Sequence, residues 1–305
     1  MAKKGCIDYP GGYNSGVAWV DKPLDASASQ HEVLSFIIPT SNSERTIGKC
    51  LSSIPKHASR AEVIVVDNFS SDSTVDICRR HPVKVYQVKS PIARQRNYGA
   101  KHSRGRYIVR LDSDETFSKP LFDELVRELK RCEPDVVWAP VIGIGYWRKV
   151  IDAINDAHRH YFHGNPYQCY VPLAYKKKLF LRFPQDEKLY WYEDLKQIKE
   201  MESSIRNAVI LKNPVLHLPI KLREIVKKRI RLHSWLEQSR YSSQMYRSLS
   251  YRSFREDSPR QKDALYYVYC YTYILKHYPS LFLGAILLLL TSTFLRFIKQ
   301  AERWL

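Results

Sequence analysis

With 305 residues, 44 % of them hydrophobic and 26 % charged, the chain fits one large globular α/β domain with an appendage. Its 49 Lys and Arg against 31 Asp and Glu leave a formal charge of +18, so an anionic partner is expected: a nucleotide, a nucleic acid or an acidic membrane surface. Cys6, Cys50, Cys78, Cys132, Cys169 and Cys270 are scattered without a CxxC pair, which speaks against a zinc module or a disulfide framework and for reduced thiols.

In chain order, residues 1–32 are polar, lack periodicity and lack the apolar core of a secretory signal, so they read as an N-terminal extension. The pattern then changes. Leu34–Pro39 predicts a buried strand, and Ser43–Ile54 places Ile47, Leu51 and Ile54 at helical spacing. Glu62–Val66 is a second strand, followed by a helix over Ser73–Arg80 with Ser71 or Ser73 as its cap. Val83–Val88, Ile92–His102 and Tyr107–Leu111 read as strand, helix and strand. Leu121–Arg131 is a further helix and Asp135–Val141 a further strand. The aromatic-rich Gly143–Tyr192 is less regular, and Val209–Leu211 and Pro214–Leu218 resemble the last strands of the domain.

Strands that are apolar on both faces and alternate with helices imply a parallel sheet covered on its two sides. Ligands of such sheets bind beyond the carboxyl ends of the strands. Pro39-Thr40, Asp67-Asn68 and Asp112–Asp114 all lie at such ends, which predicts one crevice.

Asp112 and Asp114 stand one residue apart in RYIVRLDSDETFS, with Ser113 between and Glu115 behind them. Two readings are open for this pair. The acids cap the next helix, or they hold a hard divalent cation such as Mg²⁺ or Mn²⁺ together with substrate phosphates. Neighbouring stretches bear on the choice. FIIPTSNSERTIGKCLSSI, EVIVVDNFSSDSTVDICRR and IARQRNYGAKHSRGRYIVRLDSDE, in that order, resemble the three N-terminal blocks of family 2 glycosyltransferases. The resemblance runs from about Leu34 to Leu218.

It implies a GT-A fold, a Rossmann-like and mainly parallel sheet with flanking helices, and a nucleotide diphosphate sugar as donor. Pro39, Thr40, Asn42 and Glu44 match the turn that meets the nucleoside, and Asp67 and Asn68 the pair beside base and ribose. Arg96 matches the arginine near the phosphates; Asp112, Ser113 and Asp114 match the DxD, with Asp114 the direct metal ligand. Phe69 departs from the usual glycine of the tight turn after Asp67, although Asn68 can itself take a left-handed conformation. Glu193 and Asp194 in YWYEDL match the acidic pair of an inverting transfer, Asp194 as base and Glu193 as its orienting neighbour. Their alternative is an ordinary helix start. His217 is a candidate further metal ligand, with a packed core histidine as its alternative; His158, His160 and His163 suit acceptor contact or plain surface. No Q-x-x-R-W motif follows the acidic pair, so a single-transfer enzyme is expected.

The composition changes again near residue 221. Lys221 to Glu256 holds ten basic and three acidic residues, with apolar positions at near-helical spacing, a basic amphipathic pattern. Ala264–Leu275 and Tyr278–Leu295 are uncharged; the latter's 18 residues would span roughly 27 Å as one helix. The expected division is therefore an extension (1–32), a GT-A domain (33–220) and a membrane-associated helical region (221–305), with Arg296, Lys299 and Arg303 at the headgroups. A buried helical hairpin or an oligomer interface would use the same apolar residues. The expected location is the cytoplasmic face of a membrane, the acceptor a lipid phosphate or lipid-linked glycan, and nucleic acid not a partner. Two rivals stand beside this reading: a basic nucleic-acid-binding protein with stacking tyrosines, and a catalytically silent relative acting as a scaffold.

Overall fold

A computed structural model of the chain describes residues 34–55, 61–161, 170–189, 193–227 and 262–288. The expected extension (1–32), Tyr190–Tyr192, His163, residues 228–256 of the basic stretch with the five that follow, and residues 289–305 lie outside the described residues.

The strands β1 (Leu34–Thr40), β2 (Ala61–Asp67), β3 (Lys84–Gln87) and β4 (Tyr107–Arg110) alternate with the helices α1 (Ile47–Ser53), α2 (Thr74–Arg79) and α3 (Ile92–His102). β5 (Glu115–Thr116), α4 (Lys119–Cys132), β6 (Val136–Gly143), α5 (Tyr146–Tyr161), β7 (Tyr170–Lys176) and α6 (Lys177–Arg182) follow. After them come α7 (Glu193–Met201), β8 (Ala208–Ile210), β9 (Val215–His217) and α8 (Lys262–His277). The sheet order is β3-β2-β1-β4-β7-β6-β9-β5, with β8 paired to β6.

Every residue of β1 is buried, because it sits between β2 and β4 and is covered on both faces. Phe36, Ile38, Val65 and Val109 pack with Ile47, Cys50 and Leu51 of α1 and Leu121 and Leu125 of α4. Each large apolar side chain so buried contributes roughly 1.5–3 kcal/mol. The alternate residues face α3, which approaches at Gly99: a Cβ there would lie 2.5 Å from Ile37 Cγ2 and 3.3 Å from Val66 Cγ2.

From β3 to β4 the sheet is parallel, as its apolar runs imply, with Thr40 level with Asp67 and Ile37 level with Arg110. β7 then enters antiparallel to both β4 and β6, so the sheet is mixed. The β6–β7 register shifts beside Trp138 and its partner Pro172, where the ladder lacks an amide N–H.

Contacts divide the chain into two compact units, 1–141 with 170–216, and 142–169 with 217–305. The expected division at residue 220 keeps 142–169 with the sheet, whereas the described part of that segment, α5, packs with residues after 219. Val150 and Ala157 of α5 are buried with Ile220, Ile225, Cys270, Ile274, Ala285 and Leu288. Asp156 accepts hydrogen bonds from Tyr273 Oη (3.0 Å) and Tyr278 Oη (2.8 Å). The apolar stretch from Tyr278 does not start as a helix: Pro279–Leu281 form a 3₁₀ turn before the helical residues 282–288. Among the described residues no helix is long and apolar enough to cross a membrane.

Candidate active site

Three loops leave the carboxyl ends of β1, β2 and β4 and are tied to one another. The Asn42 amide donates to Ser70 Oγ (2.8 Å), and Asn42 Oδ1 accepts the Ser71 amide (2.9 Å). Glu44 Oε2 accepts the Ser73 amide (3.1 Å), while the Glu44 amide donates to Asp72 Oδ2 (3.2 Å). The hydroxyls of Ser43 and Ser113 meet at 3.0 Å, joining the first loop to the third. Asn42 and Glu44, expected at the nucleoside, thus hold two loops in register.

Asp67 is fully buried at the end of β2, accepting from the Ser70 amide (2.9 Å) and Gln87 Nε2 (3.1 Å). Asn68 Oδ1 accepts the Ser90 amide (3.0 Å). Gln95 of α3 bridges the carbonyls of Thr40 (3.0 Å) and Val66 (2.6 Å), fixing the β1 and β2 ends on the helix. Pro39 lies level with Val66 in this ladder. The tight turn after β2 falls on Phe69, at φ +49°, and not on Asn68.

Beyond β4 lies a buried charge cluster. Arg96, 3 % exposed on α3, donates through Nη2 to Asp112 Oδ1 (2.7 Å) and through Nη1 to Glu193 Oε1 (2.8 Å). Arg110, 8 % exposed, donates from Nη1 to Asp194 Oδ2 (3.1 Å), and its Nη2 lies 3.8 Å from Asp112 Oδ2. Asp112 and the 193–194 pair, distant in sequence, therefore share two guanidinium groups. Burial alone would lower both guanidinium pKa values, but Asp112 and the other carboxylates hold them above the ordinary arginine range. Glu193 is pushed up by burial and by Asp194.

Arg110 is the partner that residue spacing did not indicate. Its signal was a lone cation inside an otherwise apolar strand, since a buried charge requires counter-charges. The acids after β4 do not cap the following helix: Ser118 does, accepting the Leu121 amide at its Oγ. Glu115, 3 % exposed, instead accepts the Asp112 amide (2.8 Å) and closes the turn on itself. Burial and Asp112 raise its carboxyl to about 8. Ser73 stands at the N-cap of α2 without a side-chain bond; Asp72 Oδ1 takes the Thr74 amide (3.0 Å) in its place.

Asp112 and Asp114 offer hard oxygen donors of the type that Mg²⁺ and Mn²⁺ take. Among the described residues no three His, Cys, Asp or Glu side chains converge as a metal cage. Two buried polar atoms near these strand ends, Thr40 Oγ1 and Arg96 Nε, have no hydrogen-bond partner among the described residues, which suits an anionic ligand with acceptor oxygens. His217 closes β9, its carbonyl accepting the Ile144 amide (2.9 Å), and it belongs to the second unit. His158 and His160 lie in α5.

Residues 35–185 match the model for Glycosyl transferase family 2. Among curated proteins, the glycosyltransferase GlyG of Streptococcus pneumoniae is 27 % identical over 114 residues, 35 % of this chain and 38 % of its own length. The poly(ribitol-phosphate) beta-N-acetylglucosaminyltransferase TarS of Staphylococcus aureus is 28 % identical over 120 residues, 36 % of this chain and 21 % of its own. The chain thus aligns with well under half the length of each. The crystal structure of S. aureus TarS 1–349 with UDP superposes with a TM-score of 0.51 at 15 % identity, over 89 % of this chain and 91 % of that one. Its complex with UDP-GlcNAc gives 0.51 at 16 % identity, over 80 % and 81 %. These likenesses establish the shared α/β fold, with its mostly parallel sheet between helices.

Proposed function

The chain belongs to glycosyl transferase family 2, and from that premise we propose an inverting, metal-dependent and non-processive enzyme. It moves a sugar from a UDP- or GDP-linked donor to a lipid phosphate or lipid-linked glycan at the cytoplasmic face of a membrane. The observation that supports the reading is the pair of hydrogen bonds from Arg96 to Asp112 and Glu193, which joins the DxD motif and the acidic pair through one guanidinium.

In the reaction the bond between the anomeric carbon and the diphosphate oxygen breaks, and the acceptor oxygen bonds from the opposite face. Asp194 takes the acceptor proton, or orients an acceptor that is already a phosphate anion. Arg96 and Arg110 supply fixed positive charge beside the leaving diphosphate, where negative charge grows in the transition state. Asp112 and Asp114 would hold a divalent cation with the diphosphate, and that cation supplies further neutralisation of the leaving group. His217 stays a candidate for an additional contact there. The UDP and UDP-GlcNAc complexes of TarS support a nucleotide-sugar donor. The membrane location rests on the basic stretch from Lys221 and on Val268, Leu275, Leu283 and Leu287, all exposed in the second unit.

The test is donor turnover and transfer with a panel of UDP- and GDP-sugars, with and without Mn²⁺, for the wild type and Asp114→Ala. The substitution and metal removal should each lower turnover at least a hundredfold, on the order expected when a charge-stabilising group is lost. Undiminished transfer by the variant would sink the metal role, and a wild type inert toward every donor would favour a silent scaffold.

A further inference from the structure

Among the described residues, three that are not glycine have a left-handed backbone: Asn42, Phe69 and Glu133. Two are explained by the fold. Asn42 bonds the neighbouring loop through its side chain, and Glu133 caps α4, its amide donating to Leu129 O while Arg106 pairs with its carboxylate. A bulky aromatic residue at φ +49° is a true outlier. Phe69 gains no burial in return, because its side chain is 58 % exposed at the end of β2.

Asn68, Phe69 and Lys89 together line a shallow, solvent-open surface at this strand end. Asn68 Oδ1 is engaged by the Ser90 amide, and its Nδ2 carries two N–H donors. An aromatic face, amide donors and an ammonium group at the carboxyl end of a parallel strand suit a flat heteroaromatic ring bearing carbonyl oxygens and joined to an anion. We propose that Phe69 is the base-stacking residue of the donor site, with its strained turn holding the ring in place for the nucleobase. This deepens the glycosyltransferase reading and rests on it.

Calorimetry on the full chain with Mn²⁺ compares UDP, GDP and inorganic pyrophosphate as probes, for the wild type, Phe69→Gly and Phe69→Tyr. Phe69→Gly should weaken UDP or GDP about tenfold or more, in the range of one lost base–aromatic stack. It should leave pyrophosphate within about twofold and the thermal midpoint unchanged or raised, since glycine accepts the left-handed turn. Phe69→Tyr keeps the ring and should bind both nucleotides as the wild type does. Equal nucleotide binding by Phe69→Gly, or an equal loss for pyrophosphate, overturns the stacking role alone. A wild type that binds pyrophosphate but neither nucleotide overturns the stacking role and the donor reading together. Binding of no probe at all by the wild type removes the glycosyltransferase reading on which the inference stands.

Discussion

Replacing Arg110 by Met keeps most of the side-chain volume and removes the charge between Asp194 and Asp112. With one guanidinium left among the buried carboxylates, the folded state should lose about 3–5 kcal/mol, the usual cost of stripping one partner from a buried ion pair. If Asp112 and Asp114 hold a cation, Mn²⁺ should restore more of the thermal midpoint in Arg110→Met than it adds to the wild type. Equal shifts in the two proteins would separate Arg110 from any cation site. Glu115 gives a second test, with a defined sign. Its folded-state carboxyl, raised to about 8, makes the protonated form the favoured one. The stability it contributes is fully present below the unfolded value of 4.5 and is lost as pH rises through about 8. Glu115→Gln keeps an acceptor for the Asp112 amide and removes the titration. The variant's thermal midpoint should therefore fall less than the wild type's across that window, and parallel curves would refute the assignment.

At the scale of elements, close approach of backbone to backbone governs which glycines are fixed. A Cβ on Gly105 would lie 2.6 Å from the Leu34 carbonyl carbon and 2.7 Å from the Ser35 nitrogen, neither of which can yield. On Gly99 the nearest clash is with the Ile37 side chain, which has some freedom to shift. Gly99→Ala should cost about 1–3 kcal/mol by overpacking, and Gly105→Ala clearly more. Urea midpoints with unchanged slopes check the order; the reverse order would mean that α3, not the turn before β4, is the rigid contact.

These parallel elements were legible because buried parallel strands are written as short apolar runs. Ile92–His102 was read with its observed ends, and β1 and β2 to within a residue at either end. β7 and α5 were not, since YVPLAYK carries a proline and its antiparallel place between β4 and β6 is set by partners far away in the chain. The same limit hid the charge cluster. Asp112, Glu193 and Asp194 are each picked out by motif, but nothing local says that Arg96 and Arg110 reach across some 80 to 100 positions to Glu193 and Asp194. Asn42 and Glu44 show the converse case, where a motif gave positions and the fold used their side chains to lock loops.

For the whole molecule, the +18 charge and the exposed apolar side chains of the second unit bear on where the protein works. Either feature alone is weak: basic proteins bind many polyanions, and scattered surface leucines are ordinary. Their combination is more specific, because a headgroup surface offers anionic charge above an apolar layer. Val268 and Leu275 lie on α8, and Leu283 and Leu287 on the helical residues that follow, so one segment carries four exposed apolar side chains. We propose that these four side chains meet the interface of such a surface. The protein should then co-sediment with vesicles containing anionic lipid, and less so with neutral ones. Raising salt well beyond physiological strength should release much of it, as screening shortens to a few ångströms. Leu283→Asp with Leu287→Asp should weaken binding at low salt without unfolding the protein, because both positions are already exposed to water. Release by salt with no effect of the double substitution would leave charge alone as the attachment and remove the apolar contact from the proposal. Binding to single-stranded nucleic acid in preference to anionic vesicles would assign the basic surface to a different partner altogether.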